Sequence, residues 1–139
     1  MVKKFIGIIV VAVLTLGVMT GCGEPKKDFD GSNYTDTGNG ELYIVTPDGT
    51  SEDGNVPKLI VEKDTVLTQI GCETNGMEYA KCVVYVDGME NGEMITDDMC
   101  YNTISLTEDE LSEGVHTVEV VATDGEAITI YKSGQYEVV

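Results

Sequence analysis

The chain has no tryptophan, no arginine, one histidine and two phenylalanines among 139 residues. Each shortage closes a class of function. With 8 lysines against 25 acidic residues, the chain lacks the clustered cations that phosphate contacts need, so nucleic acid is excluded as a partner. Electrostatic binding to anionic headgroups is excluded on the same ground. One histidine and no CxxC pair leave zinc without a ligand set. There is no GxSxG, no phosphate loop and no long helical period. Catalytic residues are therefore not expected, and the chain reads as a non-enzyme.

What the chain does have, at its start, is a long apolar run. Lys3 and Lys4 precede 15 residues from Phe5 to Met19, and Thr20-Gly21-Cys22 follows. The run is shorter than the roughly 20 residues of a spanning helix, and polar residues begin at once after Cys22. This segment resembles a bacterial lipoprotein signal ending in a lipobox, with Met19 where that family usually has leucine. The resemblance implies cleavage before Cys22, diacylglycerol on the Cys22 thiol and a fatty acid such as palmitate on its amine. Two acyl chains, at about 0.8 kcal/mol per buried methylene, would fix the protein stably to the outer face of a bacterial cell membrane.

Residues 22–139 would then form the mature chain, with six of the eight lysines, all 25 acidic residues and a formal charge of −19. Such a charge keeps an exported domain soluble and monomeric by default. No cofactor is expected. Calcium on the acidic loops is the one candidate, though acid is spread too evenly to single out a site. Residues 23–56 are rich in Gly, Asp, Asn, Ser and Thr, a composition too polar to offset its own ordering entropy. Residues 22–56 are thus expected to be a lipidated cysteine and a flexible acidic tether spanning about 30–35 Å on average. The exception is Glu41–Thr46, which alternates like a short strand or a docking segment.

From Pro57 onward, short alternating segments separated by turn residues predict an all-β domain over 57–139. Strands are expected at 58–62, 66–72, 81–87, 100–106, 115–123 and 127–138, the last bent at Ser133-Gly134. Asp87-Gly88 and Asn91-Gly92 carry turn chemistry. Thr107 and Glu110 have capping-box spacing, predicting one helical turn that folds Leu111 back on the core. Period-2 alternation turns Cys82, Val84, Val86, Ile104, Leu106, Val118, Val120, Ala122, Ile128 and Ile130 inward.

Three pieces of this domain together resemble a bacterial immunoglobulin-like domain: Val84-Tyr-Val-Asp-Gly88, Ile104-Ser-Leu-Thr107, and the run from Leu111 through Gly114-Val-His-Thr to Asp124. The resemblance implies a single β-sandwich of about seven strands, without the antibody-type disulfide, since the penultimate strand has no cysteine. It also implies that His116 is a corner residue whose polar tip bonds nearby backbone. The same topology places Cys72, Cys82 and Cys100 at one pole. A disulfide there would close 11 residues (Cys72–Cys82) or 29 (Cys72–Cys100), worth about 3 kcal/mol either way. Three reduced thiols are the alternative.

Such a sandwich hosts many unrelated activities, so its function must be read from its surfaces. The expected function is a membrane-anchored binding module that meets a protein or glycan. Its contact face is expected on adjacent strands at Val83, Tyr85, Thr117, Glu119 and Val121. The second expectation is an accessory or structural component of an envelope secretion, transfer or transport assembly.

Overall fold

The computed structural model describes residues 27–139; the signal segment and Cys22 lie outside the described residues. Nine strands form two sheets. They are β1 (Glu41–Thr46), β2 (Gly49–Thr50), β3 (Lys58–Leu59), β4 (Leu67–Asn75), β5 (Ala80–Val86), β6 (Met89–Thr96), β7 (Met99–Thr107), β8 (Gly114–Asp124) and β9 (Ala127–Val138). One sheet has the order β2-β1-β4-β7 and the other β3-β9-β8-β5-β6. Every pairing is antiparallel except β3 on β9. The chain thus leaves the first sheet after β2 and joins the second at β3, and the result is an immunoglobulin-like β-sandwich.

The alternation read from the sequence sets the core. Cys82, Val84, Val86, Ile104, Leu106, Val118, Val120, Ala122 and Ile130 are all buried between the sheets. Ile128 is half-buried, beside a bulge between Ala122 and Thr123 that offsets the end of the β8–β9 ladder. Asp87 and Gly88 both take positive φ (52° and 84°), the two-residue turn that matches the twist of a hairpin. Thr107 N donates to the Glu110 carboxylate at 3.3 Å at the start of the 3₁₀ turn Glu108–Leu111, and Leu111 packs against the core.

Three expectations are corrected. First, residues 27–56 are not a free tether, and the domain does not begin at Pro57. Glu41–Thr46 is a full strand of the first sheet, paired with β4 from Glu41↔Asn75 to Val45↔Gly71, with Leu42 and Ile44 in the core. The buried apolar area on one face of β1 offsets the ordering entropy that a composition averaged over 34 residues made to look prohibitive. Second, Asn91-Gly92 is not a turn. It lies inside β6, at a register shift opposite Val84 and Tyr85. The Asn91 amide donates to the Ser105 carbonyl at 2.7 Å and to the Glu110 carboxylate, while Asn102 Nδ2 donates to the Ile95 carbonyl at 2.8 Å. Those side chains clasp the edges of β6 and β7 where no backbone ladder joins the sheets. Third, β9 keeps its register with β8 through Ser133 and Gly134 rather than bending there. Gly134 is small because Ile44 reaches across: a Cβ on it would lie 2.6 Å from Ile44 Cγ1.

Candidate functional site

The five residues expected to form a contact face do come together. Val83 pairs with Val121 and Tyr85 with Glu119, on the outer side of the five-stranded sheet. The face they form is covered, however, with Glu119 and Val121 only 7% and 5% exposed. The cover is the chain's own segment from Lys27 to Gly40, which the composition marked as tether. Phe29 stacks on Tyr85 at 4.8 Å between ring centroids, and Tyr34 and Tyr131 complete the cluster at 5.5 and 6.2 Å from Phe29. The Tyr131 hydroxyl donates to the Glu119 carboxylate beneath, which satisfies the buried acid.

Backbone bonds hold both ends of this strap. Asp28 N and Phe29 N both donate to the Gly88 carbonyl at 2.9 Å, and Glu90 N donates to Asp28 Oδ2 at 2.9 Å. At the other end Thr37 and Tyr131 exchange two 3.0 Å bonds. The Lys132 ammonium, 2% exposed, donates to Asp36 Oδ1 at 2.6 Å and to the Gly38 carbonyl at 2.9 Å. Gly31 fits because it has no side chain, since a Cβ there would lie 2.6 Å from the Tyr131 hydroxyl. The expected contact face is therefore corrected to an intramolecular seam. Phe29 and Tyr34 are the signal that was available, being two aromatics in an otherwise polar stretch.

His116 takes the corner position the resemblance implied. It is 5% exposed, its Nε2 lies 2.6 Å from the Ser112 carbonyl and its Nδ1 2.5 Å from Asp87 Oδ2. Burial disfavours the imidazolium, but the Ser112 carbonyl and the Asp87 carboxylate prevail and hold its pKa above the usual 6.5. With both ring nitrogens engaged, this imidazole is a structural tie.

The three thiols are free among the described residues. Cys72 opposes Asn102 and Cys100 opposes Thr74, so these two cysteines are diagonal neighbours on one face of the β4–β7 ladder. Diagonal pairs stand about 7–8 Å apart, beyond the reach of a disulfide without backbone movement. Cys82 lies on the other sheet, fully buried. Burial pushes the Cys72 thiol up to about 12. No group of three or more His, Cys, Asp and Glu side chains among the described residues is placed to hold a metal ion. No helix among them is long and apolar enough to cross a membrane.

Among the described residues, nothing covers the outer face of the four-stranded sheet in this way. Tyr43, Glu73 and Tyr101 stand in one row across β1, β4 and β7, with Glu41, Asn75 and Met99 in the next row. The Tyr101 ring lies over Gly71, where a Cβ would meet its Cζ at 2.5 Å; the ring is 58% exposed and Met99 83%. The Tyr43 hydroxyl donates to the Glu41 carboxylate. That bond, with the nearby charges of Glu41, Glu52 and Glu73, pushes its pKa up to about 12. Nothing in the sequence singles out this face, because a tyrosine on a half-exposed strand looks the same whether or not its sheet is covered.

No family model matches the chain, and no curated protein matches it. Among solved structures it is similar to a CARDB domain from Pyrococcus furiosus, crystallised in complex with di-metal ions. That domain is 17% identical, with 81% of this chain and 99% of that one covered, at a TM-score of 0.42. The solution NMR structure of the CARDB domain from the same organism is 14% identical, with 76% and 98% covered and a TM-score of 0.40. The assignment of fold rests on the strand order and pairing described above.

Proposed function

We propose that this chain is a lipid-anchored, non-catalytic binding module on the outer face of a bacterial cell membrane, with Cys22 as the lipidated residue. The observation that carries the binding reading is the asymmetry of the two outer faces. The chain seals one with its own strap and leaves the other open with two tyrosines standing on it. Exposed aromatics on a rigid sheet are low-entropy contact groups. The sole histidine tied at a corner and the Cys72 thiol buried and protonated support a role without catalysis. The anchor rests on the lipobox pattern Met19-Thr-Gly-Cys22 alone.

The strap changes what the anchor does. Lys27 already packs beside Gly88, so only five residue steps separate Cys22 from the domain, rather than a tether running to Val56. Fully extended, those steps reach at most about 18 Å. The domain therefore sits close against the membrane, with the pole carrying Asp87-Gly88 nearest the anchor, because the strap begins on Gly88.

Cells expressing the protein and given a labelled fatty acid test the anchor. Label should enter the wild type and be absent from Cys22→Ala, and protease added to intact cells should degrade both the domain and its label-bearing fragment. Label retained in Cys22→Ala, or a domain protected in intact cells, overturns the anchored reading.

A further inference from the structure

We infer that the open face of the four-stranded sheet binds a cationic, lysine- or arginine-bearing segment of a partner protein. The inference rests on the binding-module reading above and supplies its partner chemistry. Strands β1, β2, β4 and β7 contain no lysine, whereas the other sheet carries Lys58, Lys81 and Lys132. Tyr43 and Tyr101 flank Glu73 in one row, with Glu41 bonded to the Tyr43 hydroxyl and Glu52 near the same ring. Glu73 makes no side-chain hydrogen bond among the described residues, and it stands between Tyr43 and Tyr101 in the row. An ammonium or guanidinium placed there meets a carboxylate and two ring quadrupoles at once.

The rings are already positioned, Tyr101 by its seat over Gly71 and Tyr43 by its bond to Glu41, so little ordering opposes binding. A second copy is a poor occupant. Two such faces would bring carboxylates together on mature chains of formal charge −19. A neutral glycan would use the rings and leave the carboxylates unpaired.

The test uses the full chain in detergent micelles at physiological salt, titrated with hexalysine, hexaglutamate and chitohexaose and followed by backbone amide NMR. Hexalysine should shift the amides of Tyr43, Glu73 and Tyr101. Tyr43→Ala and Tyr101→Ala, which leave the charge unchanged, should each weaken binding about tenfold, and Glu73→Gln by a similar factor. Tyr101→Phe keeps the ring over Gly71 and should bind within about twofold of wild type, which separates loss of the ring from loss of fold. The double variant Asp124→Asn with Glu126→Gln, which removes two charges at the β8–β9 turn, should also stay within about twofold.

Equal weakening by that distant pair, with the tyrosine variants unaffected, would reduce the effect to diffuse charge attraction and overturn the inference. Chitohexaose shifting the same three amides while hexalysine does not would overturn the cationic partner and leave the binding module standing. Shifts at this face with none of the three probes would overturn both.

Discussion

Ile44 and Gly134 meet where β1 crosses β9, and a double-mutant cycle on them tests whether the residues before Pro57 belong to the fold. Ile44 is fully buried, and Ile44→Ala removes Cγ1 and Cδ1 from a contact lined by a glycine that cannot expand to fill the space. The expected loss is about 3–4 kcal/mol, toward the upper part of the range for such truncations. For the 113 described residues, each kcal/mol lowers the melting midpoint by about 4 °C, so the variant should melt about 12–16 °C lower. Gly134→Ala sets a methyl 2.6 Å from Ile44 Cγ1 and should cost about 1–3 kcal/mol by itself. In the Ile44→Ala background that methyl enters vacated space and should be neutral or stabilising. The coupling should then reach about 1–3 kcal/mol. Urea and thermal unfolding of the four proteins, followed by far-UV circular dichroism, read it directly. Ile44→Ala costing under about 1 kcal/mol, with Gly134→Ala costing the same in both backgrounds, would mean that β1 does not pack on the sandwich.

Phe29→Ala removes the centre of the strap's aromatic cluster and should lower the local opening free energy by about 2 kcal/mol, so limited proteolysis within 27–40 should run roughly 30-fold faster while β4 to β9 stay protected. Unchanged cleavage would count against the strap. The raised pKa of His116 contributes stability that is complete below about pH 6.5 and lost as pH rises through the folded value. Denaturation between about pH 5 and pH 9 should show that fall, and Asp87→Asn should flatten it; a stability that rises instead would refute the ion pair with Asp87. The buried, protonated thiols predict order in labelling: of Cys72, Cys82 and Cys100, half-exposed Cys100 should alkylate first in the native protein and the other two only with denaturant. Peptide mapping after a timed iodoacetamide pulse checks this.

The sandwich was legible because its strands are half-buried and their side chains obey period 2. The inward set from Cys82 to Ile130 follows from parity once Glu119 is placed outside, and the structure keeps that parity. What parity cannot show is whether an outward residue meets water or another segment. Glu119 is outward and also buried, a combination that exists only because Gly31 and Tyr131 close over it. The strap itself has no period. Two aromatics, a glycine that permits close approach and a lysine 96 residues away from its partner Asp36 hold it, and the contacts that fix it to the sheet are not local in sequence. Averaged composition then misleads, because a few long-range contacts are enough to order a polar stretch that makes few demands on the core.

The same asymmetry governs how the free face arises. An isolated sandwich of this size would expose the outer sides of both sheets, each with tyrosines available. Here the segment from Lys27 to Gly40 lies across Tyr85 and Glu119 and runs without a break from Gly40 into β1. That strand carries Tyr43 and Glu41 onto the opposite outer face. One stretch of chain therefore closes the first surface and builds an edge of the second. A substitution that frees the strap, such as Phe29→Ala, uncovers a second apolar surface with Tyr85 and Tyr131 on it. Cationic probes should still prefer the face of Tyr43 and Tyr101, because the carboxylate beneath the freed strap, Glu119, is already bonded to Tyr131.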